Sequence, residues 1–101
     1  MYQIKILDKA LEDIEKGISF YQAQDKNLGV YFLDNIIVDI ESLQLYAGIH
    51  KKVKGFYRLL AKRFPYAIYY KIDQNIVYIY AVLDCRMNPL KIKQRLKDAH
   101  S

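Results

Sequence analysis

Tryptophan is absent, cysteine occurs once, proline twice and glycine four times in 101 residues, and each scarcity excludes something. A lone cysteine, Cys85, makes no internal disulfide, so the fold must rest on packing, and the chain reads as cytoplasmic. Four scattered glycines supply no phosphate-cradling loop. The two histidines, His50 and His100, lie far apart and give no metal-ligand spacing, so neither a metal nor another cofactor is expected. Apolar runs extend over a few residues, short of the roughly 20 that a membrane helix needs. The opening Met1-Tyr2-Gln3-Ile4-Lys5 lacks the basic and long apolar regions of a signal peptide. No linker, repeat or low-complexity stretch interrupts the chain, and residues 1–101 read as one domain with one core.

What is abundant is tyrosine, ten residues, and positive charge, with a net balance of +5. The charge is segregated. Residues 1–50 carry four Lys against eight Asp or Glu, a balance of −4, and residues 51–101 carry twelve Lys or Arg against three Asp, a balance of +9. Lys51, Lys52, Lys54, Arg58, Lys62 and Arg63 follow one another with no acid between them. A field of that kind draws nucleic acid or an acidic protein.

Alternation over residues 2–7 predicts a short strand running into a helix with Asp8 as N-cap. Leu11, Ile14, Ile18 and Tyr21 carry the helix to about Gln24, and Gly17 in its middle costs it about 1 kcal/mol relative to Ala. Asp25 and Asn27 break it and cap the next. That second helix starts near Leu28, with Phe32, Ile36, Ile40 and Leu43 on one stripe and Leu33 and Ile37 widening it. The short joint makes the two an αα-hairpin, ended by Gly48. Three strands follow, from Val53 to Lys62, Tyr66 to Ile72 and Ile76 to Leu83, joined closely enough to force antiparallel neighbours. Pro89 opens a last short helix with Lys91, Lys93, Arg95 and Lys97. The expected architecture is α+β: an N-terminal strand and an αα-hairpin packed on an antiparallel β-meander, with a short C-terminal helix.

In the third meander strand Val77, Ile79, Ala81 and Leu83 form a face for the helices. Ile76, Tyr78, Tyr80 and Val82 form the other face, which nothing in the sequence covers. Cys85 has no neighbouring histidine to activate it and is expected to be a small buried or half-buried residue. No catalytic residue is assigned.

Three segments, Gly55-Phe56-Tyr57-Arg58, Phe64-Pro65-Tyr66-Ala67-Ile68-Tyr69-Tyr70 and Val82-Leu83-Asp84-Cys85-Arg86-Met87-Asn88-Pro89, stand in the order and spacing of the RelE/ParE superfamily of toxins, which the chain resembles over nearly its whole length. The resemblance implies a type II toxin–antitoxin module, a cognate antitoxin partner and a toxin–antitoxin hetero-oligomer. An acidic, partly apolar antitoxin segment would fold along the helices and the open edge. RelE-type members cut messenger RNA on the ribosome with cations on the first two meander strands, an arginine after the third and a nearby tyrosine. Arg58 and Arg86 match two of those places. Leu60 stands where a second first-strand cation is expected, Ala67 where the second-strand arginine is, and Ile92 where the tyrosine is. Asp84 stands where many relatives carry histidine. The Phe-Pro-Tyr segment and the stretch from Arg86 to Pro89 look more like the ParE branch, which poisons DNA gyrase and arrests growth without nuclease activity. The alternatives are a RelE-type endoribonuclease, with ribosome and mRNA as partners, and a degenerate toxin that binds antitoxin alone. The expected target-binding residues are Arg58, Arg86, Tyr78, Tyr80, Lys54 and Arg63.

Overall fold

The alternating start forms strand β1, Gln3–Ile6, which turns Ile4 and Ile6 toward the helices. The computed structural model describes residues 1–100. Leu7 spends its N–H on the Ile79 carbonyl, 3.0 Å away, so the chain leaves the sheet and enters α1, Asp8–Gln24, without a pause. Leu7 therefore takes the N-cap position with no side-chain cap, and Asp8 is the first helical residue instead of the cap. There its charge faces the positive end of the helix dipole. The buried stripe of α1 is Ala10, Asp13, Ile14, Gly17 and Tyr21, whereas Leu11, expected inside, is exposed.

Asp25 caps α2, Lys26–Glu41, by accepting the Asn27 N–H at 2.8 Å. The helix thus starts two residues before Leu28. It also stops at Ser42, whose hydroxyl donates to the Asp39 carbonyl, and a separate turn, α3, Leu43–Tyr46, carries Leu43 into the core. Phe32, Ile36, Ile40 and Leu43 are all buried, as their spacing requires.

The first meander run is not one strand. It is a hairpin of β2, Lys52–Val53, and β3, Phe56–Leu60, because Lys54 and Gly55 both take positive φ, 54° and 85°. Two such residues make the tight turn whose twist suits paired strands. β3 ends at Leu60, and the Lys62 N–H goes to the buried Asp39 carboxylate at 3.2 Å. β4, Tyr66–Asp73, and β5, Ile76–Asp84, complete a five-stranded sheet ordered β1-β5-β4-β3-β2, with β1 parallel to β5 and the rest antiparallel.

One extra residue in β5 changes what each face presents. Tyr69 pairs with Ala81 and Tyr70 with Ile79, so Tyr80 is unopposed and forms a bulge. Before it, Val77 and Ile79 face the helices; after it, Val82 does. Ala81 and Leu83 therefore point to the opposite face, contrary to a simple alternation, and join Phe56, Ala67 and Tyr69 there. That face is not open. The C-terminal helix α4, Pro89–Ala99, lies across it with Leu96 fully buried and Ile92 and Ala99 packed alongside.

β1 runs beside β5 only as far as Ile79. Past that point the outward Val82 N–H is taken by the Asp13 carboxylate of α1 at 3.0 Å. Arg95 of α4 reaches the same carboxylate with two bonds of 2.7 and 2.9 Å. Asp13 is thus the junction of both faces.

On the helix side, the Tyr70 hydroxyl accepts the Gly48 N–H at 2.9 Å and donates to His50 Nδ1. Burial pushes the His50 pKa below its ordinary 6.5. The unfolded chain consequently takes up this proton at higher pH than the folded one, so His50 contributes stability above about pH 6.5 that is lost on acidification. The urea midpoint should fall between pH 7 and pH 5, and it should fall less in His50→Phe. A second expectation concerns Gly17, where an added methyl would come within 2.5 Å of the buried Phe32 ring. Helix propensity favours Gly17→Ala by about 1 kcal/mol, but overpacking costs about 1–3 kcal/mol. The variant should unfold at lower urea concentration than the parent; an unchanged or higher midpoint would show that Phe32 yields.

Candidate target-binding face

Asp84 closes β5, and its carboxylate folds back onto the turn that follows. It accepts the Arg86 N–H at 2.8 Å, Arg86 Nε at 2.9 Å and Arg86 Nη2 at 2.8 Å. A longer bond of 3.4 Å runs from Nη2 to the Tyr21 hydroxyl of α1. A guanidinium held in this way keeps its charge and its planar fork in one orientation, yet its side chain remains 56% exposed. The hydrogen bond from Arg86 holds the Asp84 carboxyl below the usual carboxylate range, and Asp84 in turn raises Arg86. Neighbouring Tyr66 is pushed up to about 12, first by burial and then by the Asp84 charge. None of these groups exchanges a proton near neutrality.

Arg58 projects from β3 on the α4 side, opposite Tyr69. Its Nε is buried without a hydrogen-bond partner. Burial raises the Tyr69 hydroxyl, and Arg58 offsets part of that rise through its charge and a hydrogen bond. Cys85 is an exposed turn residue, not a buried one, because it follows the last strand residue and only its N–H is tied down, to the Pro65 carbonyl at 2.7 Å. Desolvation of the thiol raises its pKa despite Arg58, so Cys85 is no activated nucleophile.

The remaining sequence-derived candidates lie elsewhere. Arg63 is exposed in the loop before β4, at the Asp84 end of the sheet, since Tyr66 pairs with Asp84. Tyr78 pairs with Lys71 on one side and Lys5 on the other and is half-buried. Tyr80, the bulge residue, packs on Phe56 with ring centroids 5.3 Å apart. Lys54 is exposed in the β2–β3 turn. Arg86 lies eight positions beyond Tyr78, roughly 25 Å at about 3.3 Å per residue. Arg63 and Arg86 thus lie at one end and Lys54 and Tyr78 at the other, while Arg58, level with Ala81 beside Tyr80, stands between them with its charge felt at Cys85.

Two residues were given no part in this surface by the sequence. Lys71 Nζ donates to His100 Nδ1 at 2.8 Å and sits 4.7 Å from the Phe56 ring centroid and 5.4 Å from that of Tyr80. His100 Nε2 donates to the Lys54 carbonyl at 2.7 Å and stacks on Phe56, so it ends α4 on the turn. The available signal was a lysine set within a tyrosine-rich strand and a histidine one turn after Leu96.

Residues 4–89 match a family model described as the ParE toxin of the type II toxin–antitoxin system, parDE. Among solved structures, a chain of the chromosomal ParDE TA system from P. aeruginosa superposes with a TM-score of 0.73 at 20% identity, over 81% of this chain and 94% of that one. At that identity the likeness is one of fold. No curated protein matches.

Proposed function

Because the chain belongs to the ParE toxin family of type II toxin–antitoxin systems, we propose that it arrests growth by binding DNA gyrase through the Arg58–Arg86 end of its sheet. Family membership implies a cognate antitoxin as its partner. The toxin works in the cytoplasm, where gyrase and DNA are, and it works by binding instead of cutting.

The observation that carries this reading is the apolar packing at the places where an RNA-cutting relative needs charge. Ala67 is buried against Leu83 and opposite Leu60, and Ile92 packs against the same cluster. No cation or phenol at either place is available to stabilise a scissile phosphate. Arg86, by contrast, is presented as a fixed, exposed fork. The unpartnered Nε of Arg58 is consistent with the same reading, since a buried orphan donor costs about 1–3 kcal/mol and a bound partner is one way to offset that cost.

Expression without antitoxin should produce gyrase-dependent strand breaks and leave transcripts whole. Early codon-phased cleavage of mRNA with intact DNA would refute the gyrase reading. Arg86→Ala removes an exposed, solvent-screened ion pair, and Arg58→Met removes an orphan donor while keeping the aliphatic volume. Neither should lower the melting temperature by more than a few degrees. Each should cost about tenfold or more in gyrase inhibition if it contributes a desolvated contact. Lys26→Ala, at the exposed start of α2, serves as control. Variants as toxic as the parent would move the target site away from this end of the sheet.

A further inference from the structure

The cations of α4 are left without a role by the surface around Arg58 and Arg86. α4 turns Ile92, Leu96 and Ala99 inward, which leaves Lys91, Lys93 and Lys97 exposed along its outer side. His100 then fastens the end of the helix to the Lys54 carbonyl and accepts from Lys71, so Lys54 and Lys71 extend the same ridge. Among the described residues the ion pairs are formed by Lys9, Arg86 and Arg95, and none of the ridge lysines takes part in one. The carboxylate of Asp98 is engaged by Gln94 at 2.8 Å.

We propose that the ridge formed by α4 and the β2–β3 turn is a docking surface for the phosphodiester backbone of double-stranded DNA, read by charge and not by base sequence. Three observations favour duplex over other polyanions. The rings beneath α4 that could stack on unpaired bases are covered, Phe56 at 0% and Tyr69 at 4% exposed, and Tyr80 is half-buried against Phe56 with the Lys71 ammonium over its ring. Single-stranded nucleic acid needs such platforms, whereas a duplex backbone needs positioned cations alone. An acidic protein partner would want an apolar centre within the charged rim, and the outer side of α4 offers only Leu90, at its start. The helix has 11 residues, about 16 Å at 1.5 Å per residue, a length that reaches two or three successive phosphates. Lys91, Lys93 and Lys97 lie beyond residues 4–89, the span of the family match, and Lys54 and Lys71 lie within it. The inference does not rest on gyrase as the target.

The test uses the full chain and a labelled 20-base-pair duplex, followed by fluorescence anisotropy, with no gyrase present. Three or four phosphate contacts should weaken binding about 40- to 150-fold between 50 and 200 mM salt, to a similar degree for two unrelated sequences. Lys54→Gln, Lys93→Gln and Lys97→Gln should each lower the slope of log K against log salt by about 0.9. Lys26→Gln, at the exposed start of α2, should leave it unchanged, and circular dichroism melting should confirm that all variants fold. The proposal is overturned by no binding at 50 mM salt, or by an equal loss in the control variant. It is also overturned by tighter binding of single-stranded RNA of equal length, or by binding of polyglutamate without binding of duplex.

Discussion

A carboxylate taken out of water must be compensated, and Asp13, 6% exposed, is compensated from two directions. The Val82 N–H and the Arg95 guanidinium converge on its two oxygens. Either partner without the other would leave charge or hydrogen-bonding capacity buried at a cost of several kcal/mol. The geometry imposes an order on the chain. β1 must stop at Ile6 so that the edge of β5 is free at Val82, α1 must follow at once so that its sixth residue reaches that edge, and α4 must approach from the opposite face. The position of α4 is thus set by a residue of the first helix, 82 positions away.

The bulge at Tyr80 serves the same junction. Without the inserted residue, the alternation of β5 would place Val82 on the α4 face and Ala81 on the helix face. With it, the small Ala81 lies under α4 beside Ala67, where a helix can come close, and the larger Val82 fills the helix-side core. A face rich in tyrosine is thereby converted from exposed surface to a second, smaller core, and the working groups are displaced to its two ends and to the outside of α4.

Much of this was legible in the residues and some was not, for reasons that differ by element. Phe32, Ile36, Ile40 and Leu43 announced their shared face through helical spacing, and Asp25 and Pro89 marked helix starts through the side-chain bond of one and the ring of the other. The bulge left no mark: Tyr80 is neither glycine nor proline, and its extra position exists only relative to β4. The β2–β3 turn was hidden because its first residue is Lys54, at φ 54°, where glycine or asparagine is the usual signal. Arg95 looked like one more solvated cation among Lys91, Lys93 and Lys97, since a periodic pattern says which residues share a side and not which one meets a distant carboxylate. Of the candidate site, Arg58 and Arg86 could be picked out by resemblance. That Asp84 and Tyr21 would fix the Arg86 fork could not, because Tyr21 reads simply as the last apolar residue of its stripe.

The division of charge along the sequence becomes a division in space. The acidic first half builds β1 and the layer of α1, α2 and α3, while the basic second half builds the remaining four strands and α4. Two layers of opposite sign packed back to back make the molecule an electric dipole directed through the sheet. In the field of a polyelectrolyte such a particle feels a torque as well as a pull. It would approach a polyanion already turned, strands and last helix forward, and the fraction of collisions that are productive would rise at low ionic strength without any change in the contacts finally made.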